Sequence, residues 1–319
     1  MVRTPSVRDE TRNVATGRPV EVLPGIWEVR ESLAPVFDTP DCWVSLWLLT
    51  DPSGIERPVM IDSGVPRSTQ TVILPALQSL GFVPADLAVT VNTHNHHDHA
   101  GSNIQLRDAT GCEIWIHTDD AAGLTTGSTF GEEPIHPHAA DRLLAEGEVL
   151  RLAGRDYQVV HIPGHSAGSI GLYDQARKLF FSGDALQAQG TATQGIAGAG
   201  DREAYLRSLE KVGRLELDHL MAAHPYLPFT DSHVHPTAEV QRYLAECRRF
   251  VDEIDGEILA ALAAAGGRAT AERLADRICA QRGFEKTCQL TASILRGILS
   301  RLAAEGRLRM EGESYVNVA

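Results

Sequence analysis

Short apolar runs alternate with turns over the first two thirds of the chain, and this pattern predicts an α/β fold. Runs rich in β-branched and aromatic residues, ended by Gly, Pro or Asp, are typical of strands. The predicted strands are Val20–Val29, Cys42–Leu49, Val59–Ile61, Leu87–Val91, Glu113–His117, Val149–Leu152, Tyr157–Ile162, Gly168–Tyr173, Leu179–Ser182 and Leu220–Ala223. Helical spacing of apolar residues predicts helices over Thr69–Gly81 and Arg202–Val212. Strands with helices between them favour a layered α/β domain.

Two segments interrupt this pattern. Thr125–His138 is rich in Gly, Pro, Thr and His, and Gln187–Gly200 consists almost entirely of small residues. Neither shows a helical or strand period. We therefore expect two mobile loops that could cover a pocket.

The pattern becomes helical after Pro236. It predicts helices over Glu239–Ala265, Ala269–Gln281 and Leu290–Ala304, and then a hairpin over Arg307–Val318 that turns at Glu311–Gly312. Helices followed by a hairpin resemble a winged-helix module, with a hinge near Gly266–Gly267. The predicted organisation is a flexible lead-in over residues 1–20, a catalytic domain over 21–235 and this C-terminal domain over 236–319.

Charge bears on the choice of partner. The 319-residue chain has a formal net charge of −13, and the C-terminal segment balances twelve acidic against twelve basic residues. Nucleic acids and anionic membranes are recognised by clustered Lys and Arg, so neither is an expected partner. The C-terminal segment is interpreted as a structural or dimerising appendage, and a homodimer stays an open alternative.

The segment Met1–Val20 has no apolar core typical of a secretion signal. The sequence also contains no run of about eighteen apolar residues, the length that a membrane helix needs. These observations favour a cytoplasmic location.

The most informative motif is the run His94-Asn95-His96-His97-Asp98-His99, three residues after a predicted strand. Imidazole and carboxylate groups suit zinc and other divalent ions of similar character. Residues two apart on a turning loop can face one ion, and the Asp-His pair can reach a second ion about 3.5–4 Å away. A histidine patch that binds nickel or zinc without catalysis is the alternative.

Complementary residues recur downstream, each at the end of a predicted strand. Gly164-His165-Ser166 follows the strand ending at Ile162, Gly183-Asp184 follows Leu179–Ser182, and His224 follows Leu220–Ala223. This order favours a metal centre over a surface patch.

The segments THNHHDHAGSN at 93–103, PGHSAGS at 163–169, SGDAL at 182–186 and AHP at 223–225 resemble the successive signatures of the metallo-β-lactamase superfamily. The resemblance implies an αββα sandwich with two metal ions at one edge of its sheets. Zinc is the expected metal, with iron or manganese as alternatives. The implied roles are His94, His96 and His165 on the first metal, Asp98, His99 and His224 on the second, Asp184 as the bridge, and Asp62 as the acid that orients a metal-bound histidine.

Other histidines receive weaker predictions. His97 occupies a variable position of the motif and is interpreted as a neighbour of the ligands, while His161 is expected to support them or to be packed. Four more lie in segments that could line the pocket: His136, His138, His233 and His235.

These assignments predict a hydrolase in which a metal-bridging hydroxide attacks a small-molecule substrate, with Asp98 accepting or relaying a proton. A bridging Asp184 resembles the glyoxalase II, lactonase and phosphodiesterase branches and departs from the zinc β-lactamases. A small ester, lactone or thioester is therefore the expected substrate. The alternatives are a phosphodiesterase or nuclease that uses the C-terminal domain, a β-lactamase-like amide hydrolase, and a mononuclear iron persulfide dioxygenase.

Overall fold

A computed structural model describes residues 18–37, 42–284 and 290–318. Of the lead-in predicted over residues 1–20, residues 1–17 lie outside the described ranges. The strands are β1 Val20–Leu23, β2 Ile26–Ser32, β3 Trp43–Leu49, β4 Val59–Ile61, β5 Val89–Val91, β6 Glu113–His117, β7 Ser128–Phe130, β8 Glu133–Ile135, β9 Arg142–Leu144, β10 Val149–Leu152, β11 Arg155–His161, β12 Ile170–Asp174, β13 Leu179–Gly183, β14 His219–Ala222, β15 His233–Val234, β16 Arg268–Ala269, β17 Leu308–Glu311 and β18 Ser314–Asn317. The helices are α1 Ala34–Phe37, α2 Leu74–Ser79, α3 His97–Ala100, α4 Asn103–Thr110, α5 Ala121–Leu124, α6 Arg202–Val212, α7 Thr237–Ala264, α8 Ala271–Gln281 and α9 Thr291–Ala304.

Two sheets pack face to face at the centre of the fold. The first has seven strands in the order β1-β2-β3-β4-β5-β6-β9, and the second has six in the order β10-β11-β12-β13-β14-β15. Trp47 and Ile61 of the first sheet share a buried cluster with Val159 and Phe181 of the second. The Trp47 and Phe181 ring centroids lie 5.8 Å apart.

Helices cover the outer face of each sheet. Leu77 of α2 is buried with Leu46 and Met60 of the first sheet, and Tyr205 and Tyr243 of α6 and α7 are buried with residues of the second sheet. Apolar faces of sheets and helices are thereby removed from water on both sides of the sandwich. The predicted αββα arrangement is confirmed.

Parallel pairing brings the carboxyl ends of several strands to one edge. β4, β5 and β6 run parallel, with Ile61, Val91 and Trp115 in register. β13 and β14 are parallel in the second sheet. The loops that follow these strands therefore meet at the same edge of the sandwich, where α/β sheets bind ligands.

Three predicted segments differ from the structure. The single strand Val20–Val29 is two antiparallel strands, because Gly25 turns the chain with a positive φ of 77°. The segment 125–138 contains the hairpin β7–β8. The helix over Thr69–Gly81 begins as a π-helical turn, Thr69–Ile73, and its α-helical part ends at Ser79.

The segment Gln187–Gly200 has no helix or strand, as predicted, but most of its residues are buried, which the prediction of a mobile loop did not anticipate. Ile196 and Ala197 are fully buried, and the Gln187 side-chain oxygen accepts a hydrogen bond from Gly198 N at 2.6 Å. The Ala188 amide donates to the Cys247 sulfur of α7. Small side chains allow this backbone to pack closely beneath a helix, a use of small residues that composition alone does not distinguish from flexibility.

The C-terminal segment shares its core with the second sheet. Phe250 of α7, Leu274 of α8 and Leu299 of α9 belong to the same buried cluster as Leu220 of β14. β16, β18 and β17 form a small sheet, and Glu311 pairs with Ser314, so the hairpin turns at 312–313, one residue later than predicted. The apolar core therefore continues across the predicted boundary at residue 236.

None of the helices in the described ranges combines the length and the apolar character needed to cross a membrane.

Candidate metal centre

Seven predicted side chains converge at the edge where the parallel strands end. His94 and His96 follow β5, α3 carries Asp98 and His99, and the loop after β11 carries His165. Asp184 follows β13, and His224 lies two residues after the end of β14. Each side chain is thus placed by the end of a buried strand or by the short helix that follows one.

Six of these side chains form two adjacent groups of three. In the first, the ligand atoms of His94, His96 and His165 all lie within 4.8 Å of one another, and His165 Nε2 is 2.9 Å from His96 Nδ1. In the second, Asp98 and His224 meet at 3.2 Å between Oδ2 and Nε2, and Asp98 Oδ1 is 3.8 Å from His99 Nε2. The two groups contain the same residues as the two sets that the family resemblance implied.

Asp184 lies between the two groups. Its Oδ1 atom is 3.3 Å from His99 Nε2 and 3.4 Å from His224 Nε2. Its Oδ2 atom is 3.7 Å from His165 Nε2. The two oxygens of one carboxylate therefore face different groups, the placement that a bridging ligand requires.

Hydrogen bonds at the outer ring nitrogens orient the histidines. His99 Nδ1 lies 2.8 Å from Asp62 Oδ2, His224 Nδ1 lies 2.7 Å from the Trp43 carbonyl oxygen, and His165 Nδ1 lies 3.0 Å from the Gly198 carbonyl oxygen. With Nδ1 engaged in this way, each ring presents Nε2 to the centre. Such partners fix the ring orientation of metal-ligating histidines.

Asp62 joins this network from a backbone conformation that is unusual for a residue other than glycine, with φ at 63°. Its Oδ1 accepts a hydrogen bond from Thr93 N at 2.7 Å, and its Oδ2 accepts one from Thr93 Oγ1 at 2.9 Å. A positive φ costs free energy and persists where surrounding contacts determine it. Asp62 therefore ties β4 to the loop that carries His94.

The donor set fits divalent cations. Within the described ranges, no hydrogen bond of good geometry reaches three buried atoms that face one another: His94 Nε2, His99 Nε2 and Asp184 Oδ1. A buried polar atom without a partner costs roughly 1–3 kcal/mol. Ions coordinated by these atoms would remove that cost, and nitrogen with carboxylate oxygen suits zinc, iron or manganese.

Neighbouring histidines keep the carboxylate of Asp184 charged. Burial opposes the ionised form of Asp184, but His224 and His99 hold the pKa of this carboxyl well below its ordinary value. Burial likewise opposes protonation of His99, yet Asp184 and Asp62 raise its pKa well above the usual range. The pKa of His94 is lowered, first by burial and then by His99. The centre thus combines an ionised carboxylate, Asp184, with a neutral imidazole, His94, and both can bind a cation.

Asp120 is a residue of the site that the sequence analysis did not identify. Its Oδ2 accepts hydrogen bonds from Asn95 N at 3.0 Å and Ser166 Oγ at 2.7 Å, and its Oδ1 accepts one from Gly168 N at 2.7 Å. A side chain at Gly168 would come within 2.5 Å of the Asp120 amide nitrogen. Asp120 therefore joins the loop of His94 and His96 to the loop of His165. Its position three residues after a predicted strand was the available signal.

A cavity of about 490 Å³ opens beside the metal centre. One side of it is formed by metal-centre residues, including His96, Asp98 and Asp184. The lining also contains five apolar side chains, here called the apolar wall: Leu33, Phe37, Phe130, Leu290 and Ile294. Polar residues of the 187–200 segment, Thr191, Thr193 and Gln194, line the cavity as well. The sequence analysis missed all five residues of the apolar wall because they come from three distant parts of the chain.

The remaining histidines occupy different places. His97 lines the cavity beside the ligands, as predicted, whereas His136, His138, His233 and His235 are not among the described residues that line it. His161 is packed: its ring stacks on His117 at a centroid distance of 4.1 Å.

The sequence is similar to those of two known enzymes. Hydroxyacylglutathione hydrolase GloC of Haemophilus influenzae is 32% identical over 139 residues, which cover 42% of this chain and 65% of that protein. Acyl-coenzyme A thioesterase MBLAC2 of Gallus gallus is 32% identical over 167 residues, covering 44% of this chain and 57% of that protein. The chain thus matches less than two thirds of the length of either relative.

Solved structures share the fold. A metallo-beta-lactamase family protein from Thermus thermophilus superposes with a TM-score of 0.71 at 20% identity, covering 93% of this chain and 100% of that one. A beta-lactamase domain protein from Burkholderia ambifaria gives a TM-score of 0.64 at 18% identity, covering 95% and 94%. The sequence model of the metallo-beta-lactamase superfamily matches residues 43–224, more than half of the chain. From β3 to His224, therefore, this chain belongs to the metallo-beta-lactamase superfamily.

Proposed function

We propose that this protein is a metal-dependent hydrolase of small esters, lactones or thioesters, with two divalent ions as its cofactors. The observation that carries the proposal is Asp184, whose two oxygens approach histidines of both groups at 3.3–3.7 Å. His94, His96 and His165 would hold one ion, Asp98, His99 and His224 the other, and Asp184 would bridge them. Zinc suits this donor set.

Ions bound there would supply Lewis acidity and lower the pKa of water towards neutrality. The protein's own residues supply the remaining functions. Burial opposes the ionised form of Asp98, but His99 and His224 hold the pKa of this carboxyl well below its ordinary value. Asp98 therefore lines the cavity as a carboxylate, and because its pKa is low it would hold a proton only briefly, as a relay, and not as a lasting acceptor.

Tyr226 offers a hydrogen-bond donor close to the centre. Its hydroxyl is buried and has no hydrogen-bond partner of good geometry among the described residues. Burial and the neighbouring Asp184 carboxylate hold the pKa of Tyr226 well above its ordinary value. The hydroxyl therefore stays protonated and can donate a hydrogen bond to Asp184, which would keep the bridging carboxylate in place.

The relatives favour thioesters within the proposed substrate class. Both relatives described above carry names of enzymes that cleave a thioester of a thiol carrier. Ester, lactone and thioester hydrolysis share attack at an activated carbonyl, so one metal centre serves all three.

The test is a substrate panel on metal-replete protein, containing lactones, thioesters, simple esters, β-lactams and phosphodiesters. We expect turnover of carbonyl esters or thioesters, together with about two zinc ions per chain by metal analysis. Fastest turnover of phosphodiesters or β-lactams would overturn the proposed substrate class. One iron per chain with oxygen consumption on persulfides would overturn hydrolysis itself.

A further inference from the structure

The apolar wall is built by elements that lie far apart in the sequence. Leu33 directly precedes α1, Phe37 ends that helix, and Phe130 ends β7. The Phe37 and Phe130 rings meet edge to face, with centroids 5.8 Å apart. Leu33 is fully buried, whereas the two aromatic side chains are half-buried and face the cavity.

The C-terminal segment completes this wall. Leu290 and Ile294, at the beginning of α9, line the cavity and are half-buried. The helix is held there by the 187–200 segment, because Thr291 Oγ1 donates to the Gln194 carbonyl oxygen at 2.7 Å. The C-terminal segment is therefore part of the cavity rather than only an appendage.

The charge of the cavity limits what can enter it. Among the described residues that line it there is no Lys or Arg, and Asp98 and Asp184 are acidic. Against these described residues, an anionic substituent would lose hydration without gaining a cation. An uncharged hydrocarbon group would instead bury apolar surface, contributing about fourfold in affinity for each methylene.

Together with the proposed hydrolase function, the geometry points to the apolar wall as the binding site for the hydrocarbon chain of an acyl group. The carbonyl carbon then lies at the metal centre and the chain extends towards Ile294. The thiol or alcohol carrier, which in biological thioesters is polar or charged, points to the mouth of the cavity and to solvent. The C-terminal helix α9 thus takes part in selecting the substrate.

The first test measures chain length. Thioesters of N-acetylcysteamine with acyl chains of two, four, six and eight carbons share one uncharged leaving group. We expect kcat/KM of the metal-replete full-length protein to rise by about fourfold per methylene until the chain fills the cavity. A flat or falling series would overturn the inference, as would a dependence seen only when the alkyl chain is placed on the thiol side.

The second test reduces the space beside the apolar wall by substitution. Ile294→Trp should lower the ratio of six-carbon to two-carbon kcat/KM by at least about tenfold, because the indole occupies space that the chain needs. Ile55→Trp is the matched control, since Ile55 is 84% exposed on a distant turn. Phe130→Ala, on a separate element, should lower the same ratio by removing contact surface. An unchanged ratio in both folded wall variants would overturn the inference.

Binding of uncleavable S-alkyl thioethers of N-acetylcysteamine, measured by calorimetry, separates this inference from the proposed function. One possible result is an affinity that rises with chain length and falls in Ile294→Trp, without turnover of any thioester. That result would contradict the proposed hydrolase function but support binding of the hydrocarbon chain at the apolar wall. Turnover without any effect of chain length would support the hydrolase function and contradict binding of the chain at the apolar wall.

Discussion

The two sides of the cavity are built in opposite ways. The metal-facing side consists of charged and polar groups, several of them buried, that are oriented by directional hydrogen bonds such as the one between Asp62 and His99. The apolar wall consists of hydrocarbon side chains, including Phe130 and Ile294, that are positioned by packing against the apolar clusters of the fold. Directional contacts demand particular residue types at particular spacings, whereas packing accepts any side chain of suitable size. The chemistry and the substrate preference are therefore specified by different kinds of information.

The strongest way to test this division is to remove the bridging carboxylate. Asp184→Asn should lower kcat/KM by more than about 100-fold for every acyl chain length, since even partners outside the ligand set change activity by about 10–100-fold. His165→Ala should behave in the same way. Steady-state kinetics on the thioester series measures the loss, and circular dichroism checks that the fold persists.

Asp108→Asn, an exposed change on α4, is the matched control for this experiment. Retained activity in Asp184→Asn or His165→Ala would contradict the two-metal assignment. A loss confined to long acyl chains would contradict the separation of the two sides.

The next effect concerns the link between the two histidine loops. Asp120→Asn replaces one acceptor oxygen by a donor, and each of the two carboxylate oxygens of Asp120 already faces an N–H donor. We expect zinc affinity to fall by about 10–100-fold, as for other groups that orient ligands. Competition with a chromophoric chelator measures this affinity. Asp108→Asn, the exposed change on α4, again provides the control, and equal affinities in the two variants would rule out a positioning role for Asp120.

The number of protons released on binding should also distinguish the metal-facing side of the cavity from the apolar wall. Although burial opposes protonation, neighbouring carboxylates raise the pKa values of His99 and His224, so the metal-free protein carries protons on these rings at neutral pH. Metal binding must displace them, which predicts release of about two protons and an affinity that weakens as pH falls. A thioether bound at the apolar wall should release none. Calorimetry in buffers of different ionisation enthalpy counts the protons, and zero release on metal binding would contradict the assigned ligands.

The smallest expected effect is that of salt. The formal net charge of −13 repels anionic substrates, and the screening length is about 10 Å at 0.1 M salt. Added salt should therefore raise kcat/KM for a thioester with a terminal carboxylate by a few-fold, while the value for its neutral analogue changes by less than about twofold. A decrease with salt for the anionic substrate would indicate a basic recruiting surface that the apolar wall does not contain.

Most strands could be predicted because local patterns specify them. Strands Glu113–His117 and Val149–Leu152 match the prediction residue by residue, since each is a short β-rich run bounded by turns. The hairpin β7–β8 was missed because three-residue strands in a Gly- and Pro-rich segment carry too little periodicity. The buried 187–200 segment was misjudged because small residues serve both flexible loops and close packing.

The sequence by itself determined the metal-facing side of the site. His94, His96, Asp98, His99, His165, Asp184 and His224 could be named as candidate ligands because the segments that carry them resemble the signatures of the metallo-β-lactamase superfamily, and because metal chemistry admits few residue types. Only the tertiary structure decided that Leu33, Phe130 and Ile294 meet across the same cavity, and that Asp120 joins two loops. Packing contacts between distant segments have no local pattern, because the sequence around an apolar residue does not indicate which other segment it will contact.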